Sequence, residues 1–155
     1  MKKIASFTVD HNKLDRGVYI SRIDGDVVTY DIRMKEPNNP ENDYLSNPSM
    51  HTFEHLFATY VRNTKYSENI IYVGPMGCRT GFYFLVRDKI SHSEAIELIK
   101  ETFKFISEFE GEIPGAKKEE CGNYKEHNLD EAKSVAKYMS EVLSNWSEEK
   151  LNYAK

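Results

Sequence analysis

Hydrophobic positions along the chain repeat with two different periods, which predict strands that alternate with helices. Residues 18–23 and 27–34 are rich in β-branched and aromatic side chains, and Asp24-Gly25-Asp26 between them suits a tight turn because glycine accepts a positive φ. Residues 69–73 and 82–87 have the same composition on either side of a glycine-rich segment. Because short turns connect antiparallel strands, we predict an antiparallel sheet of about four strands.

Three longer segments place apolar residues three and four positions apart, the pattern of an amphipathic helix. We expect the first helix to start at an N-cap on Ser49 and to reach about residue 63. The second follows the capping box Ser91-His92-Ser93-Glu94 and ends before Gly111, with His92 exposed to solvent. The third begins after Asn128 and reaches about residue 146. Such helices would cover one face of the sheet, giving a two-layer α+β domain.

The length of 155 residues suits a single domain spanning residues 1–155. The net charge of −4 and the isoelectric point of about 5.8 come without a dominant basic patch, so nucleic acid is not expected as a partner. No apolar run is long enough to cross a membrane, and the N-terminal residues lack the apolar core of an export signal. Two cysteines are fewer than a small secreted protein usually carries. We therefore expect a cytoplasmic protein with two free, functional thiols and no membrane partner.

The first predicted helix carries its polar chemistry on one side. Because a helix advances about 100° per residue, a single stripe contains His51, Glu54, His55 and Arg62. The opposite side is apolar and contains Phe53, Leu56, Phe57, Tyr60 and Val61. Two imidazoles one turn apart can bind a single metal ion, and a carboxylate beside them can transfer protons. Two histidines at this spacing also occur by chance on a polar face, but the glutamate and the apolar back favour a metal site.

Two histidines leave a metal site incomplete, because a catalytic site typically has three protein ligands and one open position. The candidates for the third ligand are Cys121, Cys78, His11, His127 or a carboxylate. Cys121 precedes Gly122 at a predicted loop-to-helix junction, where a thiolate can be presented without crowding. Two histidines and one cysteine suit Zn²⁺ or Fe²⁺ better than Mg²⁺ or Ca²⁺. Spacing alone does not choose among these candidates.

A glycine-rich turn over residues 74–81 contains the other cysteine. Three glycines and one proline in this segment force sharp backbone geometry around Cys78. A free cysteine is most often a small buried hydrophobe, but the glycine-rich setting favours a reactive thiol. Arg33, at the end of the second predicted strand, is either a solvated charge or a ligand for an anion or hydroxyl group.

Several motifs occur in the order found in one enzyme family, between residue 6 and about residue 130. They are Ser6-Phe7-Thr8-Val9-Asp10-His11, Asp31-Ile32-Arg33 with Pro37-Asn38, His51-Thr52-Phe53-Glu54-His55-Leu56 with Arg62, Gly74-Pro75-Met76-Gly77-Cys78-Arg79-Thr80-Gly81-Phe82-Tyr83, and Cys121-Gly122. On these motifs the sequence resembles the S-ribosylhomocysteine lyase (LuxS) family of autoinducer-2 synthesis. The histidine motif alone is moderately specific, and its combination with the cysteine-containing turn is very specific.

The resemblance implies a homodimer with its active sites at the subunit interface, each holding one divalent metal. The implied metal ligands are His51, His55 and Cys121. The implied general acid/base residues are Cys78 and Glu54. The residues implied to line the substrate site are Ser6, His11, Arg33 and Arg62. The resemblance further implies Fe²⁺ in the cell and Zn²⁺ in much of the purified protein.

The implied reaction cleaves the thioether of S-ribosylhomocysteine to homocysteine and dihydroxypentanedione, the autoinducer-2 precursor, and so joins quorum sensing to the methyl cycle. A metal acting as Lewis acid would polarise the carbonyl while Cys78 and Glu54 move protons, so that the carbonyl migrates through enediolates. Once the carbonyl lies β to sulfur, deprotonation expels homocysteine thiolate by β-elimination. This carbon–sulfur lyase chemistry needs no redox change and no organic cofactor.

The chain departs from the family pattern at two places. Many relatives have Asp and Ser where this chain has Tyr72 and Gly74. Met34 and Lys35 also stand where many relatives have an aromatic residue and a cysteine. The differences at Tyr72 and Gly74 touch substrate contacts and proton relay, but none of the implied ligands or acid/base residues.

Two other functions fit parts of the pattern. His51-x-x-Glu54-His55 has the form of the inverted zincin motif, in which a metallopeptidase glutamate activates metal-bound water. That class normally uses an acidic third ligand and a much larger chain. A non-catalytic metal or redox-sensing module built on Cys78 and Cys121 is the second alternative.

Overall fold

The computed structural model describes residues 1–154, in which four β-strands and three α-helices occur. The strands are β1 (Gly17–Asp24), β2 (Val27–Arg33), β3 (Ile70–Pro75) and β4 (Gly81–Arg87). The helices are α1 (Asn47–Val61), α2 (His92–Glu108) and α3 (Leu129–Val142). Short 3₁₀ turns lie at Ala5–Phe7, Ser67–Asn69 and Glu148–Lys150. The predicted order of elements is confirmed.

All four strands form one antiparallel sheet in the order β1-β2-β4-β3. The β1–β2 hairpin closes as predicted, with Gly25 at a φ of +60° in its two-residue turn. Strands β2 and β4 pair without a bulge along their length, so Arg33 lies opposite Gly81. The end of β2 and the start of β4 therefore form one rigid corner of the sheet.

The helices cover one face of this sheet, and aromatic rings fill the space between the two layers. Phe53 and Phe57 of α1 project towards the strands, and their ring centroids lie 4.9 Å from Phe82 and 5.1 Å from Phe84 respectively. Phe103 of α2 lies 5.4 Å from Phe53. These five rings are at most 2% exposed. The predicted two-layer α+β architecture is confirmed, as is the apolar back of α1.

The predicted N-cap of α1 is wrong by one helical turn. Ser46, rather than Ser49, caps the helix, because its side chain accepts from the backbone N–H of Ser49 at 3.2 Å. An N-cap at Ser49 would leave Pro48 outside the helix, yet Pro48 lies in the first turn of α1. Proline is compatible with that position because the first helical N–H groups have no intrahelical partner.

The third helix is shorter than predicted, and its end has a tertiary cause. α3 ends at Val142, and Trp146 turns back to donate its indole N–H to the Val18 carbonyl at 2.9 Å. The indole ring lies directly over Gly17, where an added Cβ would approach it to 2.2 Å. The Asn128 cap is confirmed, since its side chain accepts from Glu131 N at 3.0 Å.

The capping box of α2 is confirmed, but the expectation for His92 is wrong. Ser91 and Glu94 exchange reciprocal hydrogen bonds of 3.1 Å. His92 is only partly exposed, and its Nδ1 lies 2.6 Å from the hydroxyl of buried Tyr30. The histidine therefore joins α2 to β2. None of the helices within residues 1–154 has the length and apolarity needed to span a bilayer.

The close approach of β2 and β4 gives a test of the fold. A Cβ at Gly81 would lie 2.1 Å from the Ile32 carbonyl oxygen. We expect Gly81→Ala to lower the free energy of unfolding by about 1–3 kcal/mol, because the strands must separate to admit the methyl group. Urea denaturation followed by circular dichroism measures this loss. Gly77→Ala is the matched control, since a Cβ there meets no atom within 4 Å; equal losses would contradict the explanation.

Candidate metal centre

His51 and His55 lie on the side of α1 that faces away from the core. Both are partly exposed, as is Glu54 between them, while Phe53 and Leu56 are buried. The two imidazole centroids are 4.5 Å apart with the ring planes at 85°. The predicted division of the helix into a polar and an apolar side is confirmed.

Backbone carbonyls fix the tautomer of both imidazoles. His51 Nδ1 lies 2.7 Å from the carbonyl oxygen of Glu126, and His55 Nδ1 lies 2.8 Å from that of Pro114. A carbonyl oxygen only accepts hydrogen bonds, so in each ring Nδ1 is the donor. Each Nε2 then keeps its lone pair. Neutral imidazole held by a carbonyl in this way is the form in which histidine ligates metals.

Cys121 completes the group. Its Sγ lies 3.4 Å from His51 Nε2, and one ligand atom each from His51, His55 and Cys121 all fall within 4.8 Å of one another. The backbone N–H of Asn123 donates to the same sulfur at 3.4 Å. Among residues 1–154, no other set of three or more His, Cys, Asp or Glu ligand atoms converges in this way. The structure thus selects Cys121 from the candidates that spacing left open.

The donor set fits a borderline-soft divalent cation. Two neutral imidazole nitrogens and one thiolate match the ligands that Zn²⁺ and Fe²⁺ prefer, whereas Mg²⁺ and Ca²⁺ prefer oxygen. Three protein ligands leave a fourth position of a tetrahedral site free for a substrate or water. The group can therefore hold one metal ion of the catalytic type.

His127, another ligand candidate, instead packs against His51 and bonds Thr52. Its ring stacks on His51 at a centroid distance of 4.2 Å, and its Nδ1 lies 2.9 Å from Thr52 Oγ1. Burial, followed by the neighbouring His51 and His55, lowers the pKa of His127 and favours its neutral form. Sequence reasoning missed the supporting roles of Thr52 and His127, although Thr52 lies inside the histidine motif.

Cys78 is exposed, so the interpretation of this residue as a small buried hydrophobe is wrong. The following residue, Arg79, adopts a left-handed φ of +61°, which turns the chain sharply. Cys78 Sγ lies 3.0 Å from the hydroxyl oxygen of Thr80. A thiol presented at such a turn is accessible to a ligand.

Arg33 is not a solvated strand-end charge, because only 3% of it is exposed. Its Nε and Nη2 donate to the two carboxylate oxygens of Asp31 at 3.1 and 2.7 Å. Its Nη1 donates to Thr80 Oγ1 at 2.8 Å. These three bonds leave two of the five guanidinium N–H groups for another acceptor.

The remaining predicted site residues lie at other places in the chain. Arg62 caps the C-terminus of α1 and donates to the Ile71 carbonyl at 3.1 Å. Ser6 lies in the first 3₁₀ turn and lines a cleft of about 340 Å³ on the uncovered face of the sheet. His11 Nδ1 lies 2.9 Å from the Val9 carbonyl oxygen. Among the described residues of one chain, His51, His55 and Cys121 converge, whereas Ser6 and His11 make their contacts elsewhere.

The departures at Tyr72 and Gly74 are physically coupled. Both residues line the same cleft as Ser6. The Tyr72 side chain folds over Gly74, where an added Cβ would lie 2.4 Å from the tyrosine ring and hydroxyl. This position of Tyr72 therefore requires the absence of a side chain at residue 74.

A two-layer α+β domain with an open His₂Cys set of possible ligands is typical of a protein with a catalytic rather than a closed structural metal site. Comparison with known proteins agrees, because the family model described as S-Ribosylhomocysteinase (LuxS) matches residues 4–150. The chain belongs to the S-ribosylhomocysteinase (LuxS) family.

Curated relatives are similar to the chain over almost its whole length. The S-ribosylhomocysteine lyase of Porphyromonas gingivalis is 52% identical over 159 residues, covering 99% of each chain. The proteins of the same name from Phocaeicola vulgatus and Clostridium acetobutylicum are each 49% identical, covering 99% of this chain and 98% and 99% of their own. Neither the metallopeptidase nor the non-catalytic module is favoured by these relatives.

The carbonyl that orients His55 gives a test of the metal centre. Gly115 follows Pro114 at a φ of +73°, and a Cβ there would lie 3.0 Å from His55 Nδ1. We expect Gly115→Ala to weaken metal binding by about 10–100-fold, the usual effect of disturbing an outer partner of a ligand. Competition with a chromophoric zinc chelator measures the affinity.

Gly111→Ala is the matched control for that experiment. Gly111 has a φ of +106°, so alanine is strained there as well, but its Cβ would meet no atom within 4 Å. Its metal affinity should remain that of the wild type. Equal weakening in both variants would assign the effect to backbone strain in the loop rather than to His55.

Proposed function

We propose that this protein is a metal-dependent carbon–sulfur lyase that cleaves S-ribosylhomocysteine to homocysteine and dihydroxypentanedione. The observation that carries the proposal is the full-length similarity to proteins named S-ribosylhomocysteine lyase in a chain whose His51, His55 and Cys121 converge. The product is the autoinducer-2 precursor. The negative net charge supports an enzyme of small-molecule metabolism without nucleic-acid partners, and we place it in the cytoplasm, away from membranes.

His51, His55 and Cys121 would hold one divalent metal per subunit, Fe²⁺ in the cell, and the same donor set would also accept Zn²⁺ in purified protein. When bound, the cation supplies Lewis-acid polarisation of the substrate carbonyl. The carbonyls of Glu126 and Pro114 orient both imidazoles with Nδ1 as the donor, so that Nε2 is the nitrogen left to ligate. The protein therefore contributes a preorganised ligand set.

Cys78 and Glu54 are the acid/base pair. Cys78 is exposed at a sharp turn, and Glu54 is partly exposed on the ligand-bearing side of α1. The Cys78 thiolate and the Glu54 carboxylate take protons from the sugar carbons and return them, which moves the carbonyl along the sugar chain until it lies β to sulfur. A final deprotonation then breaks the carbon–sulfur bond and releases homocysteine.

Ser6, His11, Arg33 and Arg62 line the substrate site. Ser6 opens onto the cleft that also contains Tyr72 and Gly74, so these two departures affect the substrate contacts made there. The two spare N–H groups of Arg33 are available to oxygen atoms of the sugar.

A second copy of the chain completes the site. The face of the sheet opposite the helices carries the cleft, and the exposed large hydrophobic side chains within residues 1–154 lie in the N-terminal segment or on β1 and β3: Met1, Ile4, Phe7, Ile23 and Tyr72. Exposed apolar surface of this kind marks an interaction site. A partner on this face would bury it, in line with the homodimer with active sites at the subunit interface that the family resemblance implies.

Two cysteine variants test the assignment of roles. Cys78→Ala should keep its metal and release thiol from S-ribosylhomocysteine about 10²–10⁴-fold more slowly, because it lacks one acid/base group. Cys121→Ala should lose the metal itself, because a ligand is missing. Metal analysis of anaerobically purified protein and a thiol-reagent assay measure the two quantities.

Glu54→Gln tests the second acid/base residue in the same way as Cys78→Ala, because glutamine keeps the shape of the side chain and removes its carboxylate. The assignment is wrong if Cys78→Ala loses its metal or retains full activity. Hydrolysis of a peptide panel without thiol release would instead support the metallopeptidase.

The proposed interface has its own test. Leu85 lies on the uncovered face of the sheet and lines the cleft. We expect Leu85→Arg to be monomeric by light scattering and inactive in thiol release, but to keep its metal, because the ligands come from one chain. Ser134→Arg adds the same charge to an exposed position of α3 and should remain dimeric and active. A dimeric, active Leu85→Arg would contradict an interface on this face.

A further inference from the structure

Thr80 lies between Arg33 and Cys78 and is itself 3% exposed. Its hydroxyl oxygen is 2.8 Å from Arg33 Nη1 and 3.0 Å from Cys78 Sγ. Its carbonyl accepts from the backbone N–H groups of Met34 and Lys35 at 2.8 and 3.0 Å. The hydroxyl is therefore held in place by both the backbone and the side chains around it.

The direction of these hydrogen bonds follows from the chemistry of the partners. A guanidinium group only donates, so Thr80 accepts from Arg33. An ionised Cys78 only accepts, so the hydroxyl hydrogen of Thr80 is then directed to the sulfur. A hydroxyl that accepts from a cation is polarised and becomes a stronger donor to an anion. The arrangement gives an ionised Cys78 an oriented hydrogen-bond donor that is itself bonded to Arg33.

Arg33 is itself held from the other side by Asp31, which is 1% exposed. Besides the two bonds from Arg33, the Asp31 carboxylate accepts from the hydroxyl of Tyr153 at 2.7 Å. Burial, followed by the nearby Asp31 charge, raises the pKa of Tyr153, so this hydroxyl stays protonated and remains a donor. Tyr153 and Arg33 therefore both donate to Asp31, and Arg33 also donates to Thr80, so the donor and acceptor of each of these bonds are fixed.

The segment that carries Tyr153 is attached to the edge of the sheet. The carbonyl of buried Leu151 accepts from Ile20 N at 2.8 Å. The Tyr153 ring stacks on Tyr19 with centroids 5.1 Å apart and planes at 20°. The tyrosine hydroxyl is therefore delivered to Asp31 by several contacts and not by one.

We propose that Thr80 and Tyr153 are positioning residues for Cys78, joined to it by the chain Tyr153–Asp31–Arg33–Thr80. Thr80 directs its hydroxyl hydrogen to the sulfur, and Tyr153 holds the carboxylate that fixes Arg33. This inference rests on the proposed acid/base role of Cys78. It assigns to residues outside the reacting groups the task of keeping the thiol reactive.

The first experiment removes the Thr80 hydroxyl from the metal-loaded enzyme. Thr80→Val keeps the shape, and we expect kcat for thiol release to fall about ten-fold or more with KM nearly unchanged, since a hydrogen bond to a charged group is lost. Alkylation of Cys78 by iodoacetamide, followed by peptide mass analysis, should slow by a similar factor. Thr80→Ser restores the hydroxyl and should recover both rates.

Thr102→Val is the matched control for Thr80→Val. Thr102 is also fully buried, and its hydroxyl donates to the Leu98 carbonyl in α2 at 2.6 Å. Loss of this hydroxyl should leave the alkylation rate of Cys78 unchanged. An equal change in both variants would show a general effect of stability and overturn the proposal.

Tyr153→Phe tests the far end of the chain while keeping the ring stacked on Tyr19. We expect a fall of about three-fold in both kcat and the alkylation rate of Cys78, smaller than for Thr80→Val because the effect passes through Asp31, Arg33 and Thr80. Tyr66→Phe is the control, since the Tyr66 hydroxyl bonds Glu94 at the surface. If Thr80→Val does not fold, the comparison of Tyr153→Phe with Tyr66→Phe tests the proposal. Wild-type values of kcat and of the Cys78 alkylation rate in Tyr153→Phe would overturn the role of Tyr153.

The two readouts separate this inference from the proposed function. If the wild-type protein releases no thiol, the proposed function fails, and the alkylation rates still decide whether Thr80 activates Cys78. If the wild type releases thiol but Thr80→Val matches it in kcat and in alkylation, the inference alone is overturned.

Discussion

Two hydrogen bonds from imidazole N–H groups to backbone carbonyls decide where this protein can bind a metal. His51 and His55 are one turn apart on α1, so their spacing is set by the helix, but their orientation is set by the carbonyls of Glu126 and Pro114. Both carbonyls belong to the segment between α2 and α3, the same segment that supplies Cys121. One loop therefore brings the third ligand and fixes the tautomers of the other two. The aromatic core beneath α1 matters to the site because it holds the helix face against which this loop is placed.

The sequence allowed the elements to be predicted with few errors because their periodicity was strong and their turns carried glycine. The two helix ends that were wrong have tertiary or context-dependent causes. Pro48 belongs equally well to a loop or to the first turn of a helix, and only the bond to Ser46 decides between them. The chain turns away after α3 so that the indole N–H of Trp146 can donate to the carbonyl of Val18 in β1. Neither contact can be recognised from the residues next to it in the sequence.

The candidate site was predictable in part for the same reason. The histidine pair follows from helix geometry, whereas Cys121 lies 70 residues from His51 in sequence and its selection depends on the path of a loop. Arg33 was open to two interpretations, although a signal was present. Asp31 and Arg33 are two residues apart in one strand, so their side chains share a face and can pair. A strand that places opposite charges at this spacing should be examined for an internal ion pair before either charge is assigned to solvent.

The Asp31–Arg33 ion pair of β2 also links the sheet to the candidate site, through hydrogen bonds that lead to Thr80 and Cys78. Taking two charges out of water costs several kcal/mol per ion before their attraction is counted, and apolar side chains of similar size often stabilise a fold as well. The Asp31–Arg33 pair therefore has little value as a stabilising contact. The pair instead fixes the direction of hydrogen bonds: Asp31 only accepts and so receives the Tyr153 hydroxyl hydrogen, and Arg33 only donates and so bonds the Thr80 hydroxyl oxygen. With Gly81 opposite Arg33 the strands approach closely enough to hold Thr80 beside the pair, and the Cys78 thiol at the adjoining turn contacts the Thr80 hydroxyl.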